Sequence, residues 1–237
     1  MNIDPLILKS AGERWLQQLD FPTSRTPLPN IWSGFWFKHL CNRINHLLTH
    51  RSLNLQPDPT PAEELTPDPE ICSSFLTIIT PYPTATKLQK HDLLFLALQQ
   101  IDIEGLLLLL GQRRTSATYL SLSGFPPSYE TLLDQASQPY RIQSMLSMAG
   151  RALCKHAARD QPPWWPRPTG NDAHKTQQAQ QLIIRILQNQ TWWNVFHHYS
   201  QGIVFEARTP KGFGARWSKD NQCFIGFLEP FDTTYCR

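Results

Sequence analysis

The sequence predicts a mainly helical α+β protein that ends in a three-stranded antiparallel sheet packed on a long helix. Three observations support this class. Apolar residues recur at spacings of three and four over several segments before residue 190, as on one face of a helix. Residues 202–229 instead alternate apolar and polar side chains around two turn sequences, TPKG and SKDNQ. Among the helical segments, residues 53–70 form an interruption that contains five prolines, five acidic residues and no aromatic residue.

The Pro- and acid-rich segment 53–70 predicts an exposed, extended linker. It separates a helical N-terminal part, residues 1–52, from an α+β domain, residues 71–237. The N-terminal part contains two predicted helices, and the second carries three histidines on roughly one face, at positions 39, 46 and 50. Because no thiol or carboxylate completes that set, we expect no metal site, and no cofactor motif is present.

Within the α+β domain the elements follow in order. Residues 73–82 (SSFLTIITPY) predict a strand, 90–111 one or two buried helices, and 126–138 a further helix. Residues 141–159 carry a helical period with an apolar face, formed by Ile142, Met145, Leu146, Ala149, Ala152, Leu153 and His156. A long helix over 172–190 begins at Asn171, a good capping residue, and is expected to cover the sheet.

The helix predicted at 141–159 also carries a basic stripe. Arg151, Lys155 and Arg159 repeat every four residues, so they share a face that could grip phosphates or could simply be solvated. His156 lies near the apolar side, where a hydrogen-bonded core role is the simpler interpretation. Trp164 and Trp165 follow between prolines, and the pair either offers a ligand platform or anchors the loop to its own core.

The two hairpins of the predicted sheet fix a register. In the first, Glu206 lies opposite Arg216 and Arg208 opposite Gly214; in the second, Gly214 faces Gly226 and Phe213 faces Phe227. One face is then a core, comprising Phe205, Ala207, Phe213, Ala215, Trp217, Cys223, Ile225 and Phe227. The opposite face carries Val204, Glu206, Arg208, Gly214, Arg216, Phe224, Gly226 and Leu228.

This opposite face is the predicted binding surface. Glycine within a strand often marks a place where another group approaches the backbone. An arginine held by a cross-strand glutamate is suited to carboxylate or phosphate recognition. The candidate residues are Glu206, Arg208, Gly214, Arg216, Phe224 and Gly226. The alternative is that the basic helix or the tryptophan loop of the same chain covers the strip.

The order RALCKHAAR, WWPRPTGND, WWNVF, FEAR, GFGARW and FIGFLEP resembles a group of eukaryotic proteins of unknown function. The similarity covers residues 146–230. No activity, fold or ligand is implied by it, so no residue role follows.

Composition and motifs narrow the function. Charged residues make up 17% of the chain and hydrophobic residues 41%, which favours apolar patches that need a protein partner. The chain shows no P-loop, nucleophile elbow, dinucleotide fingerprint or zinc protease motif, so no catalytic residue is identified. Five scattered cysteines and the absence of a signal peptide or membrane span predict a cytoplasmic or nuclear protein with no membrane insertion.

The preferred interpretation is therefore a non-catalytic interaction protein, a subunit or adaptor of an intracellular complex. Nucleic acid is a further expected partner, bound through the basic helix and the sheet face. The alternative is an enzyme acting on an anionic small molecule. Arg208 and Arg216 would then form a clamp, and Glu206, Glu229 or Asp172 would supply acid–base chemistry.

Overall fold

A computed structural model describes residues 2–19, 31–51, 65, 69–120, 124–159 and 165–230. Their contacts divide the chain into two units. The first comprises Met1–Asn54, Thr66–Gln112 and Leu120–Phe125, and the second comprises Leu55–Leu65, Arg113–Tyr119 and Pro126–Arg237. The predicted linker at 53–70 lies almost wholly outside the described residues. The division differs from the predicted boundary, because residues 66–112 group with the first helices.

The first unit is helical. Its elements are α1 (Pro5–Gln18), α2 (Gly34–His50), α3 (Pro69–Ile79), a 3-10 turn (Tyr82–Thr84) and α4 (Lys87–Leu109). The leucine-rich α4 packs against both α1 and α3. It begins at a reciprocal cap between Thr86 and Gln89 and breaks at Asp102, where φ is 52°. The Asp102 carboxylate accepts a hydrogen bond from the Gly105 N–H at 3.0 Å, which caps the second half of the helix.

The strand predicted at 73–82 is wrong, because most of this segment forms α3. Phe75 and Ile79, one helical turn apart, are fully buried, and α3 packs against α4. The β-branched residues Thr77 and Ile78 suggested a strand, but the packing of an apolar helical face overrides that local preference.

The second unit has the α+β architecture that the sequence predicts. Helices α5 (Tyr129–Ser137), α6 (Met148–Ala157) and α7 (Asp172–Gln188) precede an antiparallel sheet. The sheet is formed by β1 (Trp192–His198), β2 (Gly202–Arg208), β3 (Gly214–Ser218) and β4 (Cys223–Leu228), in that spatial order. It thus has four strands instead of three, since the segment TWWNVFHHYS supplies β1.

One face of this sheet forms the core, and α7 covers it as predicted. The inward residues of α7 are Ala179, Ile183, Ile186 and Leu187. Trp165 lies at 5.1 Å, between ring centroids, from both Phe213 and Phe227. The indole N–H of Trp217 donates to the Leu132 carbonyl oxygen at 3.0 Å. Trp165 therefore anchors its loop to the sheet, and its buried ring offers no ligand platform. Trp164 lies outside the described residues.

The helix predicted at 141–159 begins later than its apolar period suggests. Ser147 caps α6, and its Oγ accepts from the Gly150 N–H at 2.9 Å. Residues 139–147 form a closed loop in which Tyr140 N–H donates to the Leu146 carbonyl oxygen at 2.8 Å. Ile142 and Met145, predicted on the apolar face, are 95% and 69% exposed. The serine cap decides the helix start against the hydrophobic period.

The first hairpin has the predicted register, with Glu206 opposite Arg216 and Arg208 opposite Gly214. The second does not: Gly214 lies opposite Leu228, Arg216 opposite Gly226, and Trp217 opposite Phe224. A bulge beside Arg216 and Trp217 inserts one residue into β4. Because one residue exchanges the two faces of a strand, Phe224 points into the core, 5.3 Å from the ring of Trp217. Phe224 is buried and therefore does not lie on the predicted binding surface.

We expect Gly214→Ala to destabilise the second unit by about 1–3 kcal/mol. A Cβ at this position would lie 2.6 Å from the Ala207 carbonyl oxygen and 2.7 Å from Arg208 Cγ, so two strands would have to move apart. Gly226→Ala is the matched control, because its Cβ would meet nothing closer than 3.7 Å. Denaturant unfolding followed by tryptophan fluorescence measures both. Equal stability of the two variants would contradict the assigned packing.

Candidate functional site

A cleft of about 520 Å³ lies between α6 and β4 within the second unit. Its volume is in the range of ordinary ligand sites. The lining side chains come from the 139–147 loop, α6, β3, β4 and the residue that follows β4. They belong to Tyr140, Met148, Arg151, Ala152, Lys155, His156, Arg159, Gln201, Arg216, Ile225, Phe227, Leu228 and Glu229, with Gly226 at the floor.

The basic stripe of the sequence faces this cleft. The lining positions of α6 are 148, 151, 152, 155 and 156, at spacings of three and four that define one helical face, and Arg159 lies two residues beyond the end of the helix. Arg151, Lys155 and Arg159 are exposed. Arg216 of β3 reaches the same cleft from the sheet. The structure thus brings the predicted basic helix and the predicted sheet face together around one positively charged space.

His156 and Glu229 form a hydrogen-bonded pair in the cleft. His156 Nδ1 lies 2.5 Å from Glu229 Oε1, and the histidine side chain is only 10% exposed. Burial acts to raise the pKa of the Glu229 carboxyl, but the hydrogen bond and charge of His156 and the charge of Arg159 outweigh burial and lower it. An ionised Glu229 accepts a hydrogen bond from the Nδ1–H group, so Nε2 is the ring nitrogen that does not face Glu229. A Cβ built at Gly226 would lie 3.7 Å from Nε2, so the glycine keeps the space beside that nitrogen open.

Glu206 joins the two arginines of the predicted clamp. Arg216 donates to Glu206 Oε2 from Nε at 2.8 Å and from Nη2 at 2.6 Å. Arg208 donates to Glu206 Oε1 at 2.5 Å. Arg216 is therefore held by the predicted cross-strand partner, and the ring of Phe196 lies 5.9 Å from its guanidinium carbon. Its Nη1 makes no hydrogen bond to the described residues, and it remains the nitrogen through which a ligand could be held.

Arg208 was predicted on the binding surface, but it lies inside the protein. Its side chain is buried, and Nη1 donates to the carbonyl oxygens of Gly212 at 2.7 Å and Glu229 at 2.9 Å. Burial lowers the pKa of this guanidinium, against the opposing charge of Glu206. Its polar groups are directed at the protein, so Arg208 fixes the backbone of Glu229. Glu206 is equally enclosed, which removes it as an acid–base group. Gly214 admits the Arg208 side chain and does not line the cleft.

Sequence reasoning missed the pairing of His156 with Glu229 and the position of Tyr140. His156 was interpreted as a core residue because it lies beside Leu153, and Glu229 lies 73 positions away along the chain. Only the packing of α6 along β4 brings them together. The proposed acid–base residue Asp172 lies at the start of α7 and does not line the cleft.

Within residues 2–19, 31–51, 65, 69–120, 124–159 and 165–230, no group of three or more His, Cys, Asp or Glu side chains is arranged to hold a metal ion. No helix among the described residues is both long and apolar enough to cross a membrane.

Residues 133–229 match the model of a protein family described as the CdiA C-terminal tRNase toxin domain. The match covers less than half of the chain, but it spans α6, α7, the whole sheet and every cleft residue named above. No curated protein and no solved structure matches the chain significantly. The family match overturns the interpretation as a non-catalytic adaptor or complex subunit, because the matched region is similar to an enzymatic domain that acts on RNA. The resemblance to the eukaryotic group is not tested by it.

Proposed function

We propose that residues 133–229 form a tRNA-cleaving endonuclease of the toxin type, with the cleft between α6 and β4 as its active site. The observation that carries the proposal is the presence, inside the matched segment, of a histidine–glutamate pair surrounded by four cationic side chains. Histidine supplies general acid–base chemistry near neutral pH, and cations stabilise the charge of a phosphate in its transition state. Cleavage of an RNA phosphodiester requires both.

The cationic side chains are suited to binding the substrate backbone. Arg151 and Lys155 lie four residues apart on α6, which is a rise of about 6 Å, and Arg159 follows just beyond the end of the helix. The three cations can therefore contact successive parts of one phosphate backbone. Arg216 is held by Glu206 with its orientation fixed, which suits contact with one phosphate at the reacting centre. The stripe then binds flanking phosphates, while Arg216 acts at the cut.

His156 is the proposed general base. Its Nε2 takes the proton of a ribose 2′-hydroxyl, the 2′ oxygen forms a bond to the adjacent phosphorus, and the bond from phosphorus to the 5′ oxygen breaks. The products are a 2′,3′-cyclic phosphate and a 5′-hydroxyl, once the leaving oxygen has gained a proton. Glu229 holds the imidazole in the required tautomer and stabilises the imidazolium that forms. In this proposal the substrate is an RNA backbone and not the anionic small molecule of the alternative interpretation.

A tRNA-cleaving activity has consequences for where the protein acts and for its predicted protein partner. The substrate tRNA is cytoplasmic, so the proposed site of action is the cytoplasm, and nothing supports the nucleus. An enzyme that cleaves tRNA damages the cell that makes it. A protein partner that covers the cleft would silence it there, which gives the predicted protein partner a specific place on the molecule.

Replacement of Arg151, Lys155 and Arg159 together by alanine is expected to weaken tRNA binding and its salt dependence. Each lost phosphate contact lowers the slope of log affinity against log salt by about 0.7–0.9. The slope should thus fall by about 2 when tRNA binding is measured in a His156→Ala background. The matched control removes three exposed cations outside the cleft lining, Arg167, Arg185 and Lys211. Equal losses from both triple variants would show that net charge, and not this cleft, binds tRNA.

A further inference from the structure

The proposed reaction needs a second group, because the 5′ oxygen leaves as an alkoxide unless it gains a proton. The attacking and leaving oxygens lie on opposite sides of phosphorus in an in-line displacement. A base and an acid must therefore approach from different directions. The arginines of the cleft are permanently charged and give up no proton. Apart from His156, the described cleft residues that can donate a proton are Tyr140, Lys155 and Glu229. Glu229 is committed as the ionised partner of His156, which leaves Tyr140 and Lys155. Lys155 precedes His156 directly on α6, whereas Tyr140 enters the cleft from a different segment.

Tyr140 is held at the end of the cleft where α6 begins. Its N–H donates to the Leu146 carbonyl oxygen at 2.8 Å, and Pro139 pairs with Ser147, the residue that caps α6. The loop that carries Tyr140 is thus closed directly onto the helix that carries His156. Arg151 lies beside Tyr140 in the first half of α6, whereas His156 lies near the C-terminal end of that helix. The phenol and the imidazole therefore enter the cleft at different positions along α6, as an acid and a base on opposite sides of one phosphate would.

The surroundings of the phenol favour proton donation. The guanidinium carbons of Arg141 and Arg151 lie 5.1 and 5.3 Å from the centre of the Tyr140 ring. A phenol that gives up its proton becomes a phenolate, and two neighbouring cations stabilise that anion. In agreement with this geometry, the neighbouring guanidinium groups of Arg151 and Arg141 lower the pKa of the Tyr140 phenol.

We infer that Tyr140 is the general acid of the cleft, a catalytic residue that protonates the leaving 5′ oxygen. The inference rests on the proposed function. The 2′-hydroxyl proton passes to His156 Nε2, the bond between the 2′ oxygen and phosphorus forms as the bond from phosphorus to the 5′ oxygen breaks, and the Tyr140 hydroxyl proton goes to the 5′ oxygen. The phenolate and the imidazolium then return to their starting states by proton exchange with water, so no proton is gained or lost over the cycle.

The test compares two RNA substrates that differ in one atom at the mapped cut site. In the second substrate, sulfur replaces the bridging 5′ oxygen. A thiol has a pKa near 8.5 whereas an alcohol is close to water at about 15.7, so a thiolate leaves without help from an acid. Tyr140→Phe keeps the ring between its arginines and removes only the hydroxyl. We expect this variant to cleave the oxygen substrate about 100-fold or more slowly and the sulfur substrate at the wild-type rate.

The controls separate the inference from the proposed function. His156→Ala should be slow on both substrates, because the base is needed for either leaving group. If the wild-type protein cleaves the oxygen substrate and Tyr140→Phe cleaves it equally fast, Tyr140 is not the general acid. So would equal losses on the two substrates, which would mean that Tyr140 only positions Arg151. Failure of the wild-type protein to cleave either substrate would instead remove the proposed nuclease function.

Discussion

His156→Ala is expected to slow tRNA cleavage by about 100- to 10,000-fold, the range over which a positioned general base contributes to a rate. The imidazole is fixed by Glu229 at 2.5 Å, and no other histidine lines the cleft among the described residues. The change removes a side chain that is mostly enclosed, so its melting temperature is measured alongside the rate. A folded protein with lost cleavage is the expected result.

The controls for this prediction use a second histidine and the partner carboxylate. His174→Ala removes an exposed imidazole near the start of α7, outside the cleft lining, and should leave the cleavage rate unchanged. Glu229→Gln keeps the size of the side chain and removes its charge, so the imidazolium loses its counter-ion and the rate should fall by an intermediate factor. Activity of His156→Ala close to that of His174→Ala would remove His156 from the mechanism.

Glu206→Ala is expected to destabilise the second unit by about 3–5 kcal/mol, the largest effect on stability that the structure predicts. The Glu206 side chain is 3% exposed and is the acidic partner of both Arg208 and Arg216. Its removal leaves the buried Arg208 guanidinium without its counter-ion. Because Arg208 also holds the Glu229 backbone, the loss should reach the proposed active site as well.

Arg216→Ala is the informative comparison for this network. The Glu206–Arg216 pair is largely enclosed, but Glu206 keeps Arg208 when Arg216 is removed. The loss of unfolding free energy should therefore be clearly smaller than for Glu206→Ala, while cleavage falls. Urea unfolding of both variants checks the order. A larger loss in Arg216→Ala would contradict the assigned role of Arg208.

Some features of the fold could be predicted from residues that lie close together along the chain. The alternation in β2 and β3 and the TPKG turn were sufficient to place Glu206 opposite Arg216. Asn171 was sufficient to start α7, since its side chain accepts from the His174 N–H at 3.0 Å. Both depend on residues that lie close together along the chain, where propensities and turn chemistry decide the structure.

The remainder depended on packing that no short segment contains. The bulge in β4 moved Phe224 into the core, because a one-residue insertion is cheaper there than exposing the ring to water. The pair in the cleft could not be predicted for the same reason, because His156 and Glu229 are brought together only by the packing of α6 along β4. The basic stripe could be recognised from its period of four, but whether it was a solvated face or a cleft depended on where β4 lies.

The most direct measurement of the central claim identifies the ends that are formed when the wild-type protein cleaves tRNA. Attack by a 2′-hydroxyl activated by His156 predicts fragments with a 2′,3′-cyclic phosphate on one side and a 5′-hydroxyl on the other. It also predicts that replacing the 2′-hydroxyl by hydrogen at the mapped cut site abolishes cleavage. Fragments that carry 5′-phosphates, or undiminished cleavage of the 2′-deoxy substrate, would contradict the assignment of the α6–β4 cleft as a base-catalysed tRNase site.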